Sequence, residues 1–271
     1  MVNPYFVAGT LLLTAFLAYA TYQSALLLRK FVPQENLLLN PAENVVKLLM
    51  VAFCLLLARI SGLPAAAFGL HYDVAGVLRD GGIGLVGGLL ALLAVNFLSE
   101  WAVRVWGTNI YSDLVMRLVT PRTGRASVWL AVAAAMAVAV LLEELLFRGL
   151  LLGGLSGAAG WMRWLAALPL SVLFGLLHLP QGRLGVVGAG LLSLVLSALF
   201  LLTGGLFAPF VAHYLINILQ LVRAYRERVW EQPGRVTTQP LNIEAGEERL
   251  SAPTLRCSTQ ANADSAASLW L

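Results

Sequence analysis

Long uninterrupted stretches of apolar residues dominate the chain and restrict what it can fold into. A helix needs about 20 apolar residues to cross the hydrocarbon core of a membrane. Seven stretches reach or approach that length, at 5–28, 43–61, 81–103, 127–151, 161–179, 184–203 and 206–225. Of the 271 residues 59% are hydrophobic and only 12% are charged, which leaves too little polar surface for a soluble domain. The sequence therefore predicts an all-α, polytopic membrane helix bundle of about seven transmembrane helices over residues 1–228, with an eighth left open.

Two segments outside these stretches are not expected to cross the membrane. Residues 229–271 are polar and have no periodic apolar face, so this C-terminal tail is predicted to be disordered. Tyr111–Thr120 alternates apolar and polar residues, which favours a short interfacial helix. The first apolar stretch has no basic residue before it and is followed by Arg29 and Lys30, so we interpret it as an uncleaved helix and not as a signal peptide.

Basic residues flank the apolar stretches instead of forming one stripe. The formal net charge is +4, from 18 basic and 14 acidic side chains. This distribution argues against a nucleic-acid partner and follows the positive-inside pattern of membrane proteins. With seven helices, an outer N-terminus and an inner C-terminus place most loop arginines on the inner side. The compact chain carries no retrieval signal, which favours a bacterial inner membrane as its location. The predicted partners are membrane lipid and a peptide or lipidated-protein substrate.

Glycines recur at four-residue spacing in two of the predicted helices. One set is Gly84 and Gly88, and the other is Gly149, Gly153 and Gly157. Small residues at this spacing let helix backbones approach closely, so tight helix packing is the interpretation for both sets.

Three ionisable residues interrupt the fourth apolar stretch: Glu143, Glu144 and Arg148. A charge near the centre of a membrane helix costs about 2.5–3.5 kcal/mol on insertion scales, so these side chains must face protein or a wet cavity. Glu144 and Arg148 lie four residues apart on one helix face and can pair. Glu143 is then left to act as a general base, or it is a protonated group beside a structural ion pair. This motif alone does not separate the two interpretations.

Two of the three histidines also lie within apolar stretches. His178 ends the fifth stretch, and Phe174 lies one turn before it, where its ring can wall the imidazole from lipid. His213 and Asn217 lie four residues apart on one face of the seventh stretch. A single histidine in a membrane helix is more often a hydrogen bond between helices than a catalyst, but here two of them accompany the glutamates.

These side chains suit the hydrolysis of a peptide bond by an activated water. Glu143 with His178 can deprotonate the water, and His213 with Asn217 can donate hydrogen bonds to the oxyanion on the scissile carbonyl. No serine or cysteine is placed as a nucleophile beside a histidine. A zinc-bound form is the alternative, because two histidines and a glutamate make a zinc ligand set. The helical His-Glu-x-x-His signature is absent, so the form without metal or other cofactor is preferred.

In their order along the chain, these residues resemble the three motifs of the CAAX-protease and bacteriocin-processing family: Glu143-Glu144-x-x-x-Arg148, Phe174-x-x-x-His178 and His213-x-x-x-Asn217. The resemblance covers about residues 127–225, and no motif position departs from the pattern. It implies an intramembrane endopeptidase acting on a prenylated or otherwise membrane-associated peptide. By the motif matches, the first glutamate and the histidine of the second motif activate water. The histidine and asparagine of the third stabilise the oxyanion, and the second glutamate and the arginine support them.

Two other functions stay open at this point. One is a non-catalytic membrane scaffold or immunity protein, and the other is a proton-coupled transporter in which buried Glu and His form a relay. The paired broken helices that mark many transporters are not evident in the sequence.

Straight helices set Glu143 and His178 apart by roughly 18 Å along the membrane normal, at 1.5 Å per residue. The two can share a water only if the helix boundaries differ from those of the apolar stretches. A turn within Gly149–Gly160, followed by a helix that starts deeper and bends at Pro169, is the expected resolution.

Overall fold

The computed structural model describes residues 2–33, 35–107, 112–156 and 160–231, and every element within these ranges is helical. The α-helices are α1 (Pro4–Lys30), α2 (Pro41–Ile60), α3 (Val74–Trp106), α4 (Leu114–Val119), α5 (Ala126–Glu144), α6 (Gly160–Leu176), α7 (Gly182–Thr203) and α8 (Phe207–Arg226). A π-helix, Leu145–Leu155, continues α5 without a break. Short 3₁₀ turns lie at Leu37–Leu39, Ala65–Phe68, Leu179–Gln181 and Val229–Glu231.

Six helical segments of the described chain are long and apolar enough to cross a membrane, which confirms an all-α polytopic bundle. The stretch predicted at 161–179 is α6, which has only 17 residues and is shorter than predicted. The short helix α4 lies within the segment predicted to be interfacial. Of the predicted tail, Val229–Glu231 form a 3₁₀ turn. The remainder, 232–271, lies outside the described residues, as do Tyr111 and Gly157.

Asparagine, aspartate and proline residues fix where the first three helices begin. The Asn3 side chain accepts a hydrogen bond from the Tyr5 amide ahead of α1, and Asn40 accepts from two amides of the first turn of α2. A proline follows each of these caps, where its missing N–H is not needed. Asp73 caps α3 in the same way through the Gly76 amide. These caps satisfy backbone donors that would otherwise be exposed at the membrane boundary.

The π-helix Leu145–Leu155 is the most enclosed element of the bundle. Residues 145–154 are all buried, by α1, α2, α6, α7 and the 3₁₀ turn Ala65–Phe68. A helix that is apolar on every side belongs in the centre of a bundle. It carries Arg148 into the interior, so the charge interrupts the apolar sequence where protein surrounds it.

The turn expected within Gly149–Gly160 is wrong for its first half, because residues 149–155 continue the helix in π form. The glycines serve packing: Gly153 lies against the Ala67 carbonyl, and a Cβ on Gly154 would come within 2.7 Å of the rings of Phe6 and Phe68. The helical α6 ends at Leu176, so His178 lies beyond it in the connection to α7.

Helices α3 and α8 pack closely through small residues. A Cβ on Gly84 would lie 2.5 Å from the carbonyl oxygen of Ala208, and one on Gly88 would lie 2.9 Å from Cα of Ala212. The predicted packing role of these two glycines is confirmed. This contact fixes the position of α8, which carries His213 and Asn217.

Candidate functional site

The centre of the candidate site is an ion pair inside the protein. Nη1 of Arg148 donates to Oε1 of Glu144 over 2.9 Å, and both side chains are 0% exposed. Glu144 is the last residue of α5, and Arg148 lies in the first turn of the π-helix. The predicted pair is therefore confirmed. A buried ion pair depends on further hydrogen bonds, because two charges have been taken out of water.

His213 of α8 lies between the two glutamates. Its Nδ1 is 2.8 Å from Oε1 of Glu144, and its Nε2 is 3.7 Å from Oε2 of Glu143. His213 is 3% exposed, whereas the Glu143 side chain is 38% exposed. Glu143, which the sequence left without a partner, thus faces His213 on one side and open space on another.

Phe174 joins the two histidines. Its ring centroid lies 4.7 Å from that of His178 and 5.9 Å from that of His213. Nδ1 of His178 is 2.9 Å from the Phe174 carbonyl oxygen. A carbonyl only accepts, so Nδ1 carries the hydrogen, and in the neutral ring the lone pair is on Nε2. Phe174 therefore contacts both imidazoles, which is more than the wall against lipid that the sequence suggested.

Three groups other than Glu144 hold the Arg148 guanidinium. Nη2 donates to the Ser193 carbonyl over 3.1 Å and to the Ser193 hydroxyl over 2.9 Å. The Phe174 ring lies 5.0 Å from the guanidinium carbon, in the range of a cation–π contact. Ser193 lies on α7 and is 1% exposed. Ser193 was not predicted as a site residue, because α7 also contains Ser197 and nothing in their spacing marks one of them as an arginine ligand.

Asn217 lies one turn after His213 on α8. Its Nδ2 atom is 3.4 Å from the sulfur of Met136, which is a weak acceptor. The amide is therefore held by a contact that a stronger acceptor can replace.

Two cavities adjoin these residues. The larger, which we term the apolar cavity, has a volume of about 460 Å³ and lies between α1, α2, α5 and α6. Its lining includes Glu143 and His178 together with the side chains of Leu17, Val46, Met50, Leu142, Leu146, Phe147 and Leu177. The smaller, the polar pocket, has a volume of about 70 Å³ and includes His178, His213, Asn217, Ser112, Gln181 and Gln220 in its lining. Phe174 and His178 line both.

All seven predicted site residues are thus brought to one region of the bundle. Glu143, His213, Phe174 and His178 follow one another through the contacts described above, and Glu143 and His178 line the same cavity. The straight-helix expectation did not foresee this, because it continued the helix through His178. Gln181 and Gln220 were also missed, although Gln220 lies on the same face of α8 as His213 and Asn217.

Zinc was the alternative raised by the sequence. Among the described residues, no group of three or more His, Cys, Asp or Glu side chains is arranged to hold a metal ion.

The fold and the site define an integral membrane protein whose bundle encloses two glutamates, an arginine and two histidines beside paired cavities. Residues 125–219 match the family model described as Type II CAAX prenyl endopeptidase Rce1-like. This segment includes all three motifs, so the resemblance read from them is confirmed, and the family implies a peptidase of the CAAX endopeptidase type. No match was found among curated proteins or among solved structures.

Proposed function

We propose that the protein is an intramembrane endopeptidase in which Glu143 and His178 activate the water that attacks the peptide bond. The observation that carries the proposal is that both side chains line the apolar cavity, and that His178 also lines the polar pocket. A water held between a carboxylate and an imidazole can lose its proton to one of them as it attacks. No metal or other cofactor takes part in this mechanism.

The hydrogen bond of His178 supports its part in the reaction. Because Nδ1–H donates to the Phe174 carbonyl, Nε2 of the neutral ring is free to accept a hydrogen bond from water. The proton removed from the water then passes to the leaving amine, which departs as the peptide bond breaks. Glu143 is partly exposed to the cavity, so a water can reach its carboxylate.

His213 and Asn217 are proposed to donate hydrogen bonds to the oxyanion of the tetrahedral intermediate. His213 already donates Nδ1–H to Glu144, so Nε2 can donate only in the doubly protonated ring. That state leaves the cluster without net charge, since the two glutamates then face one arginine and one imidazolium. Asn217 can exchange its weak contact with the Met136 sulfur for a bond to the oxyanion.

The substrate is proposed to be a prenylated or otherwise membrane-associated peptide that enters the apolar cavity. The mostly apolar lining of this cavity suits lipid-like groups, and Glu43 and Lys47 add charge to it. Water is proposed to reach the site through the polar pocket, whose lining includes Gln181 and Gln220. We propose a bacterial inner membrane as its location, with the N-terminus outside and the C-terminus inside as the basic residues of the loops indicate. This orientation requires α6 to cross the membrane together with the six longer segments, because an even number of crossings leaves both termini on one side.

The test compares membrane-associated peptides, by mass spectrometry, in cells that carry the wild type or Glu143→Gln. We expect a set of C-terminally shortened peptides that is present with the wild type and lost with the variant, which keeps the shape of the side chain but removes the base. Glu100→Gln, on the exposed face of α3, is the matched control and should leave the set unchanged. Identical peptide sets in all three strains would refute the proposal and favour a non-catalytic scaffold.

A further inference from the structure

We infer that Ser193 is a positioning residue: its two oxygens hold Arg148 so that Glu144 stays in place for His213. The inference rests on the proposed function, because its consequence is for the oxyanion side of that site. Ser193 lines neither of the two cavities, and its hydrogen bonds to the site, within the described part of the chain, come from Arg148. It ties α7 to the π-helix across a separation of 45 residues in the chain.

The shape of the guanidinium group limits how Arg148 can hold a carboxylate. An arginine can donate two parallel hydrogen bonds to a carboxylate, a bidentate arrangement called a fork. The two donors are either Nε with Nη2 or Nη1 with Nη2. Both forks need Nη2. In the structure the Ser193 carbonyl and hydroxyl oxygens accept hydrogen bonds from Nη2 of Arg148, over 3.1 Å and 2.9 Å respectively. Glu144 is therefore left with a single bond from Nη1.

Two buried atoms show what this arrangement leaves out. Oε2 of Glu144 and Nε of Arg148 are buried and have no hydrogen-bond partner within the described part of the chain. Leaving buried polar atoms unpaired is costly, and a fork between the two side chains would pair Oε2. The single bond is thus not the arrangement that the ion pair would adopt by itself. The contacts from Ser193 and from the Phe174 ring maintain it.

The single bond matters because Oε1 of Glu144 also accepts from His213. A fork requires the carboxylate to turn into the plane of the guanidinium, which moves Oε1 away from its 2.8 Å contact with Nδ1 of His213. Without the Ser193 hydroxyl, one Nη2 hydrogen is released and turns to Oε2. His213 then loses the acceptor that orients its ring, and Nε2 no longer points reliably at the reacting carbonyl.

The experiment compares Ser193→Ala with Ser197→Ala, a serine on the same helix that is 3% exposed. Cleavage of a prenylated peptide by the purified protein in lipid vesicles is the activity assay. We expect Ser193→Ala to lower kcat about 10- to 100-fold, the effect of losing one hydrogen bond to a charged group, with KM unchanged. Ser197→Ala should match the wild type, and Ser193→Thr, which restores the hydroxyl, should recover kcat.

A second measurement follows His213 without using activity. The chain has three histidines, so ¹⁵N-labelled imidazole signals can be assigned by substitution. A ring N–H that donates to a carboxylate gives a strongly downfield proton. Ser193→Ala should shift or broaden this His213 signal and leave the His71 signal unchanged. Ser193→Thr should return it to the wild-type position.

Wild-type kcat and an unchanged His213 signal in Ser193→Ala would overturn the inference. A wild type that cleaves no peptide would count against the proposed function alone, because the imidazole signals would still report on Ser193. Should Ser193→Ala fail to fold, Ser193→Cys replaces it, and its weaker acceptor should give an intermediate shift. A wild-type signal in that variant would equally reject the role of Ser193.

Discussion

Nδ1 of His213 lies 2.8 Å from Oε1 of Glu144, and this bond connects helices that are 69 residues apart in the chain. The same oxygen accepts from Arg148, so α5, the π-helix and α8 meet at one atom. All three side chains are at most 3% exposed. The bond therefore holds α5, which carries the proposed base Glu143, in a fixed position relative to α8, which carries the proposed oxyanion donors, before a substrate arrives. Such preorganisation is what electrostatic stabilisation of a transition state requires.

Asn217→Leu should lower kcat about 10²- to 10³-fold and change KM little, the usual effect of losing one oxyanion donor. Met136→Leu is the control, because it removes only the sulfur that the amide contacts in the resting protein. We expect that variant to retain wild-type kcat. Steady-state kinetics on one prenylated peptide measures both. Equal kcat values for Asn217→Leu and the wild type would remove Asn217 from the mechanism.

Arg148→Met should lower the free energy of unfolding by about 3–5 kcal/mol, because Glu144 is then buried without its partner. The double variant Glu144→Leu/Arg148→Met should recover most of that loss, since apolar side chains of similar size often replace a buried ion pair without penalty. It should remain inactive, because His213 still lacks its acceptor. Unfolding in detergent followed by circular dichroism, beside the peptide assay, separates the two effects.

A double variant no more stable than Arg148→Met would show that the pair stabilises the bundle and does not only orient the site. A double variant with wild-type activity would show that His213 needs no acceptor at Glu144.

The elements that the sequence predicted well are those governed by simple local rules. Runs of about 20 apolar residues gave the helices, since a backbone in lipid must satisfy its own hydrogen bonds. The spacing of four residues gave the Glu144–Arg148 pair, because it depends on one helix only. The same spacing indicated that Gly84 and Gly88 pack closely against another helix, and the structure shows that this helix is α8.

The features that the sequence did not predict depend on contacts between elements. Nothing in the run around Gly149 marks a π-helix, so a turn was expected where the helix continues. The packing role predicted for Gly153 is confirmed by its contact with the Ala67 carbonyl, whereas the contacts of Gly154 with Phe6 and Phe68 were not predicted. Ser193 is one of two similar serines on α7, and only the position of Arg148 distinguishes them. The position of His178 in the same cavity lining as Glu143 depends on where α6 ends, and a continuous apolar run does not show this end.

Gly84→Ala should destabilise the protein by about 1–3 kcal/mol, the usual cost of overpacking. The added methyl would lie 2.5 Å from the Ala208 carbonyl and must push α8 away from α3. Because α8 carries His213 and Asn217, kcat should fall as well. Gly82→Ala is the control on the same helix, where a Cβ meets nothing within 4 Å, and it should cause no loss. Equal stability of the two variants would mean that the α3–α8 contact has room that the structure does not show.

Gln220→Leu should lower kcat about tenfold, because the variant loses a hydrogen bond that guides water through the polar pocket. KM should stay unchanged, because Gln220 does not line the apolar cavity. Gln220→Asn keeps an amide and should retain more activity than the leucine variant. Gln220→Cys, in a background without the other two cysteines, should react with a water-soluble thiol reagent. Leu146→Cys, in the lining of the apolar cavity, should not. Equal labelling at both positions would contradict separate routes for water and substrate.

Complete removal of divalent metals should leave peptidase activity within about twofold of the untreated protein, because the proposed water activation needs only a carboxylate and an imidazole. The measurement pairs metal analysis of the purified protein with activity after incubation in chelator. Replacement of His178 by Ala would then abolish activity through loss of a base, and added zinc would not restore it. The opposite result is activity that falls with the metal content and returns with stoichiometric zinc, and it would assign Glu143, His178 and His213 as ligands. A zinc-bound water has a pKa near 7 and would then serve as the nucleophile.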